Sequence, residues 1–170
     1  MTVDTMIKNV LNEKNVSEEL YKCFANKKVK SPFYYIQDLG EEMAVVMDDI
    51  WGWWKPRILL DHRSKRAILF MDSNEHLVTV TDKDIDWNSI RRLPDEYIER
   101  AKVHSGHFPT LIRGGYHGGR AEVEWQLNPD GRYYMDEDGF GMTDDEEISL
   151  WGKIDRTGKV VVPFTYRRKR

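Results

Sequence analysis

The C-terminal third of the chain alternates short runs of β-forming residues with turn sequences, and this pattern constrains the fold more than any other feature. The runs are Ala121–Leu127, Arg132–Asp136, Glu147–Asp155 and Lys159–Tyr166. Turn-forming residues separate them, most clearly at Asn128–Gly131 and Arg156–Gly158. The segment therefore predicts a β-meander, in which successive strands pair antiparallel.

Upstream of this segment the apolar periodicity predicts helices. Val3, Met6, Ile7, Val10 and Leu11 follow helical spacing, and Ser17 can cap a second helix that buries Leu20, Tyr21, Phe24 and Ala25. In the middle of the chain, Asp84–Arg92 is expected to form a short helix, and Pro94–Glu96 suits the first turn of another helix.

Strands are predicted between these helices. They are Phe33–Ile36, Ile58–Leu60, Ala67–Met71, His76–Thr81 and Phe108–Ile112. A helical stripe fits Met43, Val46, Met47, Ile50 and Trp51, whereas the unbroken apolar run Met43–Met47 also permits a buried strand. We therefore predict a single α+β domain over residues 1–170, with N-terminal and middle helices packed on a mainly antiparallel sheet that ends in the meander.

Composition excludes several classes of protein. Cys23 is the only cysteine, which excludes an intramolecular disulfide and a thiolate-rich zinc site. No continuous apolar stretch resembles a signal peptide or a membrane span, so a cytoplasmic location is expected. The four cations Arg167–Arg170 are expected to be solvent-exposed and to form no nucleic-acid patch. We expect no nucleic-acid partner, no membrane association and no cofactor.

A dense acidic segment, residues 136–147, holds seven carboxylates and no base. An EF-hand reading fails, because its first position is Tyr134 and its twelfth is Asp145, so no metal is predicted. The segment is either a solvated hairpin loop or a surface that docks a basic protein. The docking residues would be Tyr133, Tyr134, Asp136, Glu137, Asp138, Phe140, Asp144, Asp145 and Glu146.

Three histidines suggest an alternative function. His104, His107 and His117 lie near Arg113 and Arg120, and imidazoles beside cations can run acid and base steps on a phosphodiester. These histidines are the only catalytic candidates; exposed loop positions without a catalytic role also explain them.

The segment Gly114–Gly119 has two glycines with the spacing of a phosphate loop, and its amides can cradle an anion. Arg120 and Ala121 replace the lysine and hydroxyl residue of that motif, and a strand follows instead of a helix. The segment therefore predicts a connection with positive φ angles.

Trp51, Trp53 and Trp54 crowd three indoles into four residues. They can close one end of the core, or an exposed member can bind a small ligand, which is a third possible function.

The stretch WGKIDRTGKVVVP, Trp151–Pro163, resembles a single WG repeat. The resemblance implies a β-hairpin and carries no catalytic residues. For the whole chain we favour a small protein-binding domain that docks a basic partner, for example a toxin-neutralising immunity protein, which compact acidic α+β domains resemble in general character.

Overall fold

Two four-stranded antiparallel sheets form the framework of the protein in a computed structural model. The structure describes residues 16–26, 34–50, 53–70, 80–103, 111–127, 134–135, 141–142 and 148–167. The predicted helix at 3–11 and most of the predicted strand at 76–81 lie outside these residues.

The first sheet has the order β1-β2-β3-β4, with consecutive strands joined as hairpins. Its strands are Tyr34–Gly40, Met43–Ile50, Trp53–Asp61 and Arg66–Leu69. Of the helix and the strand predicted for the segment that begins at Met43, the strand is the one that forms. Five consecutive side chains from Met43 to Met47 are buried because both faces of β2 are covered, which hides the period-two pattern of a half-exposed strand.

The second sheet has the order β10-β9-β6-β5. Its strands are β5 (Leu111–His117), β6 (Arg120–Gln126), β9 (Ser149–Asp155) and β10 (Val160–Tyr166). Two strands of two residues each follow β6 and precede β9 in the sequence: β7 (Tyr134–Met135) and β8 (Gly141–Met142). They pair with each other in a separate two-stranded sheet. The sequence predicts β6, β9 and β10 of this sheet correctly. The predicted strand Phe108–Ile112 overlaps β5 only at Leu111 and Ile112, and β7, the described part of the predicted strand Arg132–Asp136, pairs with β8 instead of joining this sheet.

Helices make up a smaller part of the described chain. They are α1 (Val16–Ala25), α2 (Trp87–Ile90) and α3 (Asp95–Val103), with a 3-10 turn at Asp82–Asp84. α1 begins at Val16, one residue before the predicted cap, and the prediction that Ala25 is buried is wrong, because this residue is exposed. The carboxylate of Asp86 caps α2 by accepting hydrogen bonds from the amides of Asn88 and Ser89.

The core consists of two clusters that share the first sheet. One contains Leu20 and Phe24 of α1 with Ala44, Val46, Ile58, Leu60 and Ala67. The other contains Met43, Val45, Met47 and Leu59 together with inward residues of the second sheet and of the segment 80–101. Strands dominate this architecture, and the predicted α+β character is confirmed in outline. Within the described residues, no helix is long and apolar enough to cross a membrane.

The backbones of the two sheets lie close together at Gly115. Its φ angle is +76°, and a Cβ atom built there overlaps the carbonyl oxygen of Leu39. Gly114 has a similar φ angle of +72°, but a Cβ atom added there would have no other heavy atom of the surrounding structure within 4 Å. Backbone strain is therefore similar at the two positions, but only Gly115 has no room for a side chain.

We predict that Gly115→Ala lowers the free energy of unfolding by about 1–3 kcal/mol more than Gly114→Ala, because only the first substitution forces the sheets apart. Urea denaturation of both variants measures the difference. Equal destabilisation would mean that the sheets adjust to the extra methyl group at no cost.

Candidate functional site

A groove of about 550 Å³ opens on the outer face of the second sheet. Its lining comes from β5, β6, β9 and the turn between β5 and β6: Arg113, Gly115, His117, Gly118, Arg120, Glu122 and Lys153. Three of these side chains carry a permanent positive charge and one carries a negative charge. This cationic groove is the candidate functional site.

Strand alternation places the charged residues on one face. Ala121, Val123 and Ile154 point into the core, so their neighbours in sequence point outward. The strand register aligns Glu122 with Arg113 on one side and with Lys153 on the other. Charges from three strands therefore form a row across the floor of the groove.

Arg113 is held by a buried carboxylate. Its Nε and one terminal nitrogen lie 2.9 Å and 2.7 Å from the same oxygen of Glu124, which is 2% exposed. The hydroxyl of Ser149 donates to the other oxygen of Glu124 at 2.7 Å. This network fixes the position of the Arg113 guanidinium in the groove and balances its charge.

Two lining cations have no such balance. The carboxylate of Glu122, which also lines the groove, lies 3.6 Å from a guanidinium nitrogen of Arg167. Among the described residues, neither Arg120 nor Lys153 has a carboxylate oxygen within 4.0 Å of its charged nitrogens. The groove thus presents net positive charge to solvent, carried by Arg120 and Lys153.

The turn between β5 and β6 is clamped from the first sheet. The amides of Gly118 and Gly119 donate to the two carboxylate oxygens of Glu41 at 2.7 Å and 2.8 Å. These two hydrogen bonds hold the pKa of Glu41 below its usual value. The glycine-rich segment therefore does cradle an anion, as its amides suggested, but the anion is a side chain of the same protein.

Positive φ angles are confirmed at all four glycines of this segment. The prediction that the whole segment Gly114–Gly119 is a connection is wrong in part. Gly114 and Gly115 belong to β5, where the pairing register shifts between Arg113 and Tyr116, and only Gly118 and Gly119 form the turn.

A second clamp joins the two sheets beside the first. Arg156, in the turn between β9 and β10, donates to Asp61 at 2.6 Å and to the carbonyl oxygen of Glu41 at 2.6 Å. Burial alone would raise the pKa of Asp61, but hydrogen bonds from Arg156, Ser64 and Arg63 outweigh it and lower the pKa. Turns from both sheets therefore meet in one hydrogen-bonded junction.

Of the predicted docking residues, only Tyr134 is among the described residues. It pairs with Met142 in the β7–β8 ladder. The others, Tyr133, Asp136, Glu137, Asp138, Phe140, Asp144, Asp145 and Glu146, lie outside the described residues. At the base of the connection, the amide of Leu127 donates to the carbonyl of Ile148 at 2.6 Å.

Only His117 of the three predicted catalytic histidines is among the described residues. His117 lines the groove with Arg113 and Arg120, whereas His104 and His107 lie outside the described residues. The Nε2 atom of His117 lies 2.9 Å from the carbonyl oxygen of Gly114. A carbonyl only accepts hydrogen bonds, so this nitrogen carries the proton. The hydrolase function that the cluster suggests stays a prediction.

The tryptophan cluster is described only in its backbone. Trp53 and Trp54 begin β3, where they pair with Ile50 and Asp49, and Trp51 lies outside the described residues. The segment that resembles a WG repeat coincides with the β9–β10 hairpin, whose turn holds Gly158 at a φ angle of +76°.

Sequence reasoning missed Lys153, Glu41 and Arg156. Lys153 carried a usable signal, because alternation in β9 places it on the face opposite Leu150 and Ile154. Glu41 and Arg156 carried none, since each acts through a turn that is distant in sequence from its partners.

No protein-family model, curated protein or solved structure matches this chain. Over the residues that the structure describes, no group of three or more histidine, cysteine or acidic side chains is placed to hold a metal ion.

We predict that Glu41→Gln removes part of the stability difference between neutral and acidic pH. The folded-state pKa of Glu41 is below its ordinary value of 4.5, so its carboxylate stabilises the fold above that pH. This contribution is lost as pH falls through the lowered pKa. Unfolding free energies measured on both sides of pH 4.5 should therefore vary less with pH in Glu41→Gln than in the wild type.

Glu42→Gln is the matched control, because Glu42 lies in the same turn and contacts Arg63 rather than the glycine amides. An identical pH profile for Glu41→Gln and the wild type would show that the clamp makes no pH-dependent contribution.

We also predict that Arg156→Met lowers the free energy of unfolding by about 1–3 kcal/mol, because it leaves the carboxylate of Asp61 with less hydrogen bonding in a site where its side chain is 10% exposed. Arg63→Met removes an exposed pair with Glu42 and should cost at most about 0.5 kcal/mol. Thermal denaturation compares the two variants, and equal costs would contradict a special role for the junction.

Proposed function

We propose that this protein is a binding domain that docks a basic protein through its acidic segment, residues 136–147. The observation that carries the proposal is the position of this segment in the fold. It lies in the connection between β6 and β9, which are neighbours in the second sheet. Seven carboxylates without a base are thus attached to the centre of a sheet rather than to a chain terminus.

The attachment is well anchored on the side of the sheet. Trp125, Leu127 and Leu150 are buried around the ends of β6 and β9. The hydrogen bond between Leu127 and Ile148 closes the base of the connection, and β7 pairs with β8 within it. Anchoring of this kind lowers the entropy that a partner must remove when it binds.

Electrostatics favours a cationic partner. Clustered carboxylates repel one another, and a basic surface that relieves this repulsion gains speed of association. Aromatic neighbours such as Tyr134 can supply the apolar anchors that interfaces use. One concrete form of the proposal is an immunity protein whose carboxylates cover the cationic active site of a toxin.

We predict that Asp144→Lys combined with Asp145→Lys slows association with the basic partner and flattens its dependence on salt. The partner is sought by affinity capture from the native host, and its association rate is then measured by surface plasmon resonance at several salt concentrations.

Glu18→Lys with Glu99→Lys is the matched control, since it changes net charge equally at exposed helical positions. Binding that weakens in the acidic-segment variant alone supports the proposal. Unchanged kinetics, or equal loss in both variants, would exclude the acidic segment as a specific interface.

A further inference from the structure

We propose that the cationic groove binds a small ligand bearing several phosphate groups, with Arg120 and Lys153 as the residues that hold it. This site is separate from the acidic segment and takes a ligand of the opposite charge. The proposal therefore stands independently of the basic protein partner.

The charges of the groove argue for an anion. The charge of Arg113 is offset by buried Glu124, and that of Glu122 by Arg167. Arg120 and Lys153 have no carboxylate at ion-pair distance among the described residues, yet both line the same groove. An anion placed between them gains charge-assisted hydrogen bonds without breaking an existing ion pair.

Strand geometry brings the two cations within reach of one ligand. Arg120 lies opposite Asp155 in the backbone register of the β6–β9 ladder, and Lys153 lies two residues before Asp155 on β9. Diagonal neighbours of this kind have Cβ atoms about 7–8 Å apart, a distance that long side chains span. The two charged heads can therefore converge on a single phosphate or contact two linked phosphates.

Size and rigidity set the class of ligand. A volume of about 550 Å³ suits a molecule of nucleotide size rather than a lone inorganic ion. The floor is an antiparallel sheet, Arg113 is fixed by Glu124, and the turn at Gly118 and Gly119 is clamped by Glu41. The planar guanidinium of Arg120 and the point charge of Lys153 are both common phosphate-binding groups.

The glycine amides do not take part in this site, because Glu41 already occupies them. This distinguishes the groove from a phosphate loop, in which backbone amides hold the ligand. Recognition here rests on side chains, so it is removed by substitutions that leave the backbone unchanged.

The test is isothermal titration calorimetry with inorganic triphosphate at low salt, on the wild type and on Arg120→Gln/Lys153→Gln. Each removed cation should weaken binding about tenfold. The matched control is Arg91→Gln/Arg92→Gln, which removes the same charge from exposed positions outside the groove. Amide chemical shifts, recorded with and without triphosphate, should change in β5, β6 and β9 around the groove.

Loss of affinity in the groove variant alone, with shift changes confined to the groove, supports the site. Absence of triphosphate binding, or equal loss in both variants, would overturn it. Citrate is the second arm, and binding as tight as that of triphosphate would overturn the assignment to phosphate. A single-stranded oligonucleotide that binds the groove more tightly than triphosphate would overturn the assignment to a small ligand.

Discussion

Arg156 connects parts of the protein that are distant in sequence. From the turn between β9 and β10 it reaches Asp61 at the end of β3 and the backbone of Glu41 in the turn between β1 and β2. Glu41 in turn fixes the tip of the β5–β6 hairpin through the amides of Gly118 and Gly119. The relative position of the two sheets, and with it one wall of the groove, depends on this junction.

The junction also explains an unusual turn. Glu41 and Glu42 both have positive φ angles, 50° and 60°, which non-glycine residues rarely adopt. Two-residue hairpin turns of this type usually contain asparagine, aspartate or glycine. Each glutamate makes contacts that compensate, Glu41 with the glycine amides and Glu42 with Arg63. Tertiary contacts therefore stabilise a local conformation that the turn sequence does not favour.

The sequence predicted β6, β9 and β10 of the second sheet because turn chemistry and alternation are local signals, as at Gly158 and in β9. It left β2 ambiguous because burial on both faces removes the alternation. The predicted helix within Asp84–Arg92 is shorter in the structure, since Asp86 caps a helix that begins at Trp87. The cationic groove was only partly foreseen, through Arg113, Arg120 and His117, because Lys153 joins them by strand pairing across β6 and β9.

Opposite charges are distributed over one sheet. β5, β6 and β9 carry the cationic groove near the turn at Gly118 and Gly119, and the connection that holds the acidic segment leaves from the other end of β6.

The pairing of β6 with β9 allows the length of the connection between them to change while the sheet stays intact. The twenty residues from 128 to 147 lie between two strands that are already neighbours, and the hydrogen bond from Leu127 to Ile148 closes their base. The entropic cost of closing a connection between two strands grows only logarithmically with its length, so each doubling of the length adds about 0.6 kcal/mol. Insertions and deletions in this connection are therefore compatible with an unchanged sheet, and its length can vary while the framework stays the same.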